Sequence, residues 1–252
     1  MPKLPLVVRG FAKTLARRLG MTLHRWPATR FDAMGDALEL LRAAGFRPDV
    51  IVDVGANRGQ WTLIAREHFP DATYHLVEPQ PGCLPILNQI AGQAPRVHVH
   101  STAVTRPGVP SVLMRGGGES LDGEGNFIPN PGTSTADGVP YASTTLDALL
   151  AAVDSRRTLI KLDVEGHELQ VLEGAPETLS RTEVVIAEFW LFRLFNEEMT
   201  TFSELVEWLE RRGFALYDFA SLRGRVRDNR LASGDAVFVH RDSPLLADTS
   251  WE

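Results

Sequence analysis

The sequence contains very little cysteine: Cys83 is the only one among 252 residues. A lone cysteine can form neither an intramolecular disulfide nor a cysteine-based zinc site, so the chain does not need an oxidising compartment. An uninterrupted apolar run of about 20 residues, which a membrane-spanning helix requires, is also missing. No clear signal-peptide core and cleavage pattern follows the first residues. We therefore expect a cytoplasmic protein.

Acidic residues are missing from residues 1–30, although the whole chain carries a net charge of −6. This segment carries seven lysine or arginine residues, which leaves about −13 for the remainder. Its apolar residues recur at helical spacing: Val8, Phe11, Ala12, Leu15 and Leu19. The pattern predicts a basic amphipathic helix over residues 1–30.

Two roles are open for this basic helix. It either packs against the fold and closes a pocket, which we favour, or lies peripherally on the anionic inner membrane surface. Because the rest of the chain is acidic and no aromatic residues interleave with the basic ones, we do not expect nucleic-acid binding.

The composition favours one sizeable enzyme domain. With 44% hydrophobic residues, the chain can bury a sheet between two layers of helices, and α/β folds of this length commonly form one domain. We expect that domain to span residues 31–252. Within it, residues 115–141 are rich in glycine and proline and predict a long loop, interpreted as a lid in preference to a plain insertion.

The segment DVGANRG, from Asp53 to Gly59, follows a β-branched run and precedes apolar residues at helical spacing. This order predicts a strand, a glycine loop and a helix, which together form half of a βαβ unit. Glycines and a helix N-terminus let a polar ligand approach the backbone closely. The predicted ligand contacts in this loop are Asp53, Gly55, Ala56, Asn57 and Gly59.

The loop lacks the GxGxxG pattern of dinucleotide-binding proteins. The carboxylate of Asp53 would repel a pyrophosphate but suits a sulfonium or ammonium group, which favours S-adenosylmethionine over NAD. Glu78 lies 19 residues after Gly59, at the end of the next predicted strand, and an acid at about this interval binds ribose hydroxyls. The further predicted cofactor contacts are Pro79, Ser101, Ala103 and Asp163.

A second motif, KLDVEGHE from Lys161 to Glu168, concentrates ionisable groups at the end of another predicted strand. Its ionisable residues beyond the lysine are Asp163, Glu165, His167 and Glu168. Ligands of open α/β sheets bind beyond the carboxyl ends of the strands, so these side chains are expected to face the same crevice as Asp53 and Glu78.

Three segments together resemble the FkbM family of S-adenosylmethionine-dependent methyltransferases: the DVGANRG loop, the strand end HLVEP, and the block LIKLDVEGHELQVLEGA from Leu159 to Ala175. The resemblance covers residues 51–188. It implies a class I methyltransferase fold, an α/β, Rossmann-like arrangement of a mostly parallel seven-stranded sheet with helices on both faces. It also implies methyl transfer to a hydroxyl, often on a sugar or a polyketide-type product.

We therefore expect an O-methyltransferase that acts on a sugar, a glycolipid or a related secondary metabolite. The acceptor would be a small molecule or a lipid-linked sugar. Two alternatives remain: methyl transfer to nitrogen, and a noncatalytic scaffold that binds the cofactor or a membrane.

Methyl transfer to a hydroxyl requires that its proton be removed or its pKa be lowered. His167 is the first candidate for the base because an unperturbed imidazole titrates near neutral pH, and Glu165 or Asp163 is the alternative. Asp163 is also expected to orient the methionine end of the cofactor, and Glu165 to bind acceptor hydroxyls.

A divalent metal ion, bound by Asp163, Glu165 and Glu188, could acidify the hydroxyl instead. We do not favour it, because HExxH or an equivalent ligand spacing is missing.

Residues 223–230, between the last two predicted strands, contain four arginines. They are interpreted as a solvated hairpin loop in preference to a site that contacts an anion.

Overall fold

The computed structural model describes residues 29–114, 138–155, 157–194 and 196–250, and for residues 29–32 the backbone path alone. The helices are α1 Met34–Ala43, α2 Gln60–His68, α3 Leu84–Gly92, α4 Leu146–Leu149, α5 Glu168–Glu173, α6 Pro176–Leu179 and α7 Phe202–Glu210. The strands are β1 Thr29–Asp32, β2 Val50–Val54, β3 Thr73–Val77, β4 Val97–His100, β5 Ala103–Val104, β6 Ser111–Met114, β7 Val139–Thr144, β8 Thr158–Leu162, β9 Thr182–Trp190, β10 Phe214–Gly224 and β11 Leu231–His240.

The main sheet has eight strands in the order β1-β10-β11-β9-β8-β2-β3-β4. The five strands from β9 to β4 run parallel to one another, whereas β11, β10 and β1 add antiparallel. The α/β fold with a mostly parallel sheet is therefore confirmed. The eighth strand is β1, whose first two residues, Thr29 and Arg30, belong to the segment predicted as a helix.

The central strands are buried on both faces, which is why they read as apolar runs. All five residues of β2, VIVDV, and of β8, TLIKL, are buried. Parallel strands covered by helices on both sides have this composition. The charged exceptions within these two strands are Asp53 and Lys161, so each needs a buried partner.

Each face of the sheet carries its own core beneath its own helices, as the sequence predicts. One core contains Leu38, Ala65 and Leu87 from α1, α2 and α3. The other contains Leu146, Val171 and Leu205 from α4, α5 and α7. Between β4 and β8 the chain also forms a small second sheet, in the order β5-β7-β6.

Two segment predictions differ from the structure at their ends. The loop predicted over residues 115–141 ends earlier, because β7 begins at Val139 and pairs with β6. The helix predicted over residues 1–30 does not include Thr29 and Arg30, which lie in β1 against β10. The remainder of both segments, residues 1–28 and 115–137, lies outside the described residues.

In the described part of the chain, every helix is too short or too polar to cross a bilayer.

The strand order places a ligand site at one edge of the sheet. From β2 the chain proceeds outward through β3 and β4, then returns to β8 on the other side of β2. Such a switch point opens a crevice at the carboxyl ends of the strands. Beyond that edge, β9 continues for three residues past the last one paired with β8, and its Trp190 still pairs with Ser233 of β11. The long strands β9, β10 and β11 thereby form a wall beside the crevice.

Candidate active site

A cavity of about 670 Å³ opens at this switch point. Ligand pockets commonly have volumes of about 300–1,000 Å³. Among its lining residues are members of both sequence motifs and of the long-strand wall: Gly55, Ala56, Asn57, Glu78, Pro79, Ala103, Asp163, Glu165, His167, Glu188, Trp190 and Arg223. The structure therefore brings most of the predicted site residues together around one space.

The glycine loop is fixed by contact with the second motif. Gly55 has a φ of +80°, and a β-carbon there would lie 1.9 Å from the carbonyl oxygen of Asp163. No side chain fits in that space. Glycine is thus required at position 55 so that the ends of β2 and β8 can touch. The sequence pattern instead predicts the close approach of a ligand at this glycine.

Glu78 is held at the end of β3 by backbone donors. Its side chain is buried, and its two carboxylate oxygens accept hydrogen bonds from the Asn57 N–H at 2.8 Å and the Gln80 N–H at 2.9 Å. Burial raises the pKa of Glu78, and these backbone hydrogen bonds oppose that rise. A carboxylate oxygen accepts more than one hydrogen bond, so this group retains the capacity to bind ribose hydroxyls.

The part of the cavity lined by Glu78 and its neighbours fits a nucleoside. Ala103, Val104 and Met114 provide apolar wall beside Glu78. Trp61 also lines the cavity, and its buried indole Nε1 has no hydrogen-bond partner. A buried donor without a partner indicates that a ligand acceptor completes the site. The residues present therefore fit an adenosyl cofactor.

Three predicted cofactor contacts lie outside the cavity wall: Asp53, Gly59 and Ser101. The carboxylate of Asp53 is buried and accepts a hydrogen bond from Thr62 of α2 at 2.5 Å. It lies on the same face of β2 as Ile51, because side chains alternate along a strand, so it faces the helices and not the crevice. Burial raises the pKa of Asp53 to about 6. Gly59 precedes α2 with a φ of +77°, and Ser101 is exposed to solvent.

The loop of the second motif has an unusual backbone. Glu165 has a φ of 54° and Gly166 a φ of 95°, and the left-handed conformation is uncommon for a residue with a side chain. Glu168 stabilises this loop, since its Oε1 accepts the N–H groups of Gly166 at 3.2 Å and Val164 at 3.4 Å. Burial raises the pKa of Glu168 to about 8. Glu168 therefore holds the loop from behind and does not line the cavity.

Asp163, Glu165 and Glu188 form a group that we call the carboxylate cluster. Each offers an oxygen atom, and these atoms all lie within 4.8 Å of one another. Glu188 belongs to β9, which runs on to Trp190, so it lies within that strand. Hard carboxylate oxygens at this spacing could hold a divalent cation.

Glu188 is held from both sides. Its Oε1 accepts a hydrogen bond from Arg223 Nη1 at 2.6 Å, and its Oε2 accepts one from Trp190 Nε1 at 3.2 Å. Burial raises the pKa of Glu188 well above its ordinary value, and the negative charges of Asp163 and Glu165 raise it further. The solvated-loop interpretation is therefore wrong for Arg223, whose guanidinium lines the cavity.

A buried lysine lies behind the cluster. Lys161 Nζ lies 3.2 Å from Asp163 Oδ2 and 3.1 Å from Asp235 Oδ1. Burial disfavours its charged form, but Asp163, Asp235 and Glu188 outweigh that effect and raise the pKa of Lys161. The same positive charge, with that of Arg223, lowers the pKa of Asp235 although burial opposes it.

The residues that sequence reasoning missed are Lys161, Asp235 and Arg223. The sequence does indicate a special role for Lys161, because it is a lysine inside the otherwise apolar strand TLIKL.

His167 lies in the cavity wall, but its environment differs from the one predicted. Its Nε2 lies 2.8 Å from the hydroxyl of Thr105. Burial, together with the positive charge of Arg106, lowers the pKa of His167 to about 4. The imidazole is thus neutral near pH 7 and only weakly basic. This lowered pKa argues against His167 as the general base.

Known proteins with a similar sequence are methyltransferases. The sequence model of the Methyltransferase FkbM domain matches residues 53–216. Hexuronic acid methyltransferase AglP from Haloferax volcanii is 29% identical over 161 residues, which span 61% of this chain and 61% of AglP.

Solved structures give weaker matches. Precorrin-6y C5,15-methyltransferase from Geobacter metallireducens gives a TM-score of 0.40 at 16% identity, covering 82% of this chain and 84% of that one. An rRNA methylase from Streptococcus thermophilus gives 0.46 at 10% identity, covering 84% of this chain and 99% of that one. Scores this low say nothing about activity. The FkbM match, however, covers more than half of the chain and includes both motifs, and the chain belongs to the FkbM family of S-adenosylmethionine-dependent methyltransferases.

Proposed function

We propose that this methyltransferase transfers a methyl group to a hydroxyl of a sugar-like acceptor bound beside the carboxylate cluster. The observation that carries the proposal is the position of this cluster, with its oxygen atoms within 4.8 Å of one another, in the same cavity as the cofactor loop. Carboxylates accept hydrogen bonds from hydroxyl groups, and a sugar offers several hydroxyls close together.

The cofactor would occupy the half of the cavity between the glycine loop and the small sheet. S-adenosylmethionine, when bound, supplies an electrophilic methyl group. The chain would bind its ribose hydroxyls through Glu78 and surround its base with Ala103 and Val104, which line that half. Asp163 would orient the methionine end, because its backbone packs against Gly55 of the glycine loop and its side chain belongs to the carboxylate cluster.

The acceptor would occupy the half bounded by β9 and β10. Trp190 and Arg223 line it together with Glu188, and a tryptophan ring provides a flat apolar surface for the face of a sugar ring. The ion pair between Arg223 and Glu188 offsets part of the negative charge of the carboxylate cluster. The name of the relative AglP, a hexuronic acid methyltransferase, agrees with a sugar acceptor.

The hydroxyl proton would pass to a carboxylate of the cluster. A carboxylate accepts a proton more readily when its pKa is raised, and burial raises the pKa of Glu188 well above its ordinary value. Arg223 and Trp190 fix both oxygens of Glu188, so the base would be preorganised. The weakly basic His167 would instead position the loop and the acceptor.

The test combines binding and transfer. The full chain should bind S-adenosylmethionine in a calorimetric titration and transfer an isotope-labelled methyl group to members of a panel of sugars and glycolipids. The carbon chemical shift of the label distinguishes O-methyl from N-methyl products. Glu188→Gln should lower kcat by about a hundredfold or more with little change in cofactor affinity, whereas the exposed Glu198→Gln should behave as the parent. A product methylated on nitrogen, or full turnover by Glu188→Gln, would refute the proposal.

A further inference from the structure

Two surface segments meet beside the mouth of the cavity. Leu191 directly follows Trp190 at the end of β9, and Arg225 lies two residues after Arg223 at the end of β10. The segments are in contact, because the guanidinium groups of Arg225 and Arg230 lie 5.8 Å and 5.9 Å from the ring centre of Phe192. We call this surface the rim patch: Leu191, Phe192, Leu194, Arg225, Val226, Arg227 and Arg230.

Several apolar side chains of the rim patch are exposed to solvent. Val226 at the hairpin tip is 78% exposed, Leu194 is 54% exposed and Leu191 is 41% exposed. Single exposed apolar residues are ordinary, but a group of them beside a binding cavity marks an interaction surface.

The rim patch is positively charged, whereas the whole protein has a net negative charge. The hairpin between β10 and β11 carries Arg225, Arg227 and Arg230 against the single acid Asp228, on a chain whose net charge is −6. Arg227 is three-quarters exposed, with its Nε 3.6 Å from Asp228. A local positive charge with projecting apolar side chains is complementary to an anionic lipid surface, which attracts arginines and accepts apolar groups below its headgroups.

We infer that the rim patch docks the protein on an anionic phospholipid membrane and turns the cavity mouth toward it. The occupant is the lipid surface itself. This docking would act separately from the basic segment 1–30, and it does not depend on which acceptor the enzyme methylates.

The test is co-sedimentation of the full chain with vesicles of phosphatidylcholine, with and without phosphatidylglycerol. We expect binding to the anionic vesicles and weaker binding at high salt. Arg227→Ala should weaken binding about fivefold. Leu194→Asp combined with Val226→Asp should weaken it more than tenfold, because apolar insertion is lost and negative charge is added.

The chain offers matched controls. Arg211 is 73% exposed and, like Arg227, lies beside an acid, and Leu40 is 56% exposed on α1. Arg211→Ala and Leu40→Asp should bind vesicles as the parent does, and thermal unfolding checks that every variant is folded. If the parent binds neither vesicle, or if the rim-patch variants bind anionic vesicles as the parent does, the inference is wrong. Both outcomes are independent of methyl transfer and leave the proposed function standing.

Discussion

The backbone of Gly55 packs directly against the carbonyl group of Asp163. A β-carbon on Gly55 would lie 1.9 Å from that oxygen, and the Asp163 N–H donates to the carbonyl of Val54 at 3.0 Å. The two motifs are far apart in the sequence, yet they form one continuous floor beneath the cavity. The glycine loop and the carboxylate cluster are therefore joined through Asp163.

Gly55→Ala tests this contact. The variant would need both a left-handed backbone, which costs about 1–2 kcal/mol for a residue with a side chain, and separation of the ends of β2 and β8. We expect stability to fall by more than about 2 kcal/mol and cofactor binding to be lost, as measured by urea unfolding and calorimetry. Gly92→Ala on α3, where a β-carbon meets nothing within 4 Å, should not lower stability. Equal stability of the two variants would contradict the contact.

Glu78→Gln tests the role of the acid at the end of β3. The amide retains one acceptor for the two backbone N–H groups but loses the negative charge. A hydrogen bond to a charged group contributes about 1.5–3 kcal/mol, so we expect the cofactor Kd to rise about tenfold or more while kcat at saturation changes little. Glu67→Gln, at an exposed position on α2, serves as the control. An unchanged Kd in Glu78→Gln would remove Glu78 from the cofactor site.

Glu168→Gln tests the buried acid beneath the second loop. Because the pKa of Glu168 is raised from 4.5 to about 8, the folded state retains a proton that the unfolded chain releases. This contribution to stability is full below about pH 4.5 and declines as the pH rises toward 8, at about 1.4 kcal/mol per pH unit. The amide cannot ionise and still accepts the two backbone hydrogen bonds.

Urea unfolding at several pH values measures the effect. The free energy of unfolding should decline less steeply with pH in Glu168→Gln than in the parent, so the variant gains relative stability toward pH 8. Glu173→Gln, at an exposed position on the same helix, should follow the parent profile. Parallel profiles for Glu168→Gln and the parent would show that Glu168 is already ionised near neutral pH.

Chelation tests whether the carboxylate cluster requires a metal ion. Arg223 and Lys161 already place two positive charges against the cluster, through Glu188 and Asp163. We therefore expect methyl transfer to remain within about twofold of the untreated rate after exhaustive chelation. Loss of activity that Mg²⁺ restores would assign the cluster as a metal site instead.

Local sequence patterns predicted the elements that build the site. β3 and β4 contain β-branched residues, which favour strands, and each follows a turn that contains a proline. Helix α4 follows Thr145, which caps it because its hydroxyl accepts the Ala148 N–H. Where strand, loop and helix follow one another with such signals, local chemistry determines the fold and the edge at which a ligand binds.

The direction of individual side chains could not be predicted in the same way. Asp53 faces Thr62 and not the cavity, because its place in the alternation along β2 depends on which residues the helices cover. Lys161 and Asp235 meet only when β11 adds beside β9. Arg223 lines the cavity because β10 extends beyond the parallel strands, and a length difference between strands leaves no mark in a local pattern.

The division between the parallel strands and the long antiparallel wall bears on how the methyl acceptor could change. The cofactor half depends on short loops that are locked together at Gly55 and Asp163, so few substitutions are tolerated there. Arg223 lies near the end of β10, just before the surface hairpin, and Trp190 pairs with Ser233 just after that hairpin. A change in the length or composition of that hairpin alters the proposed acceptor side alone. Under the proposed function, grafting of another hairpin would change the acceptor and leave the methyl-donor half unaltered.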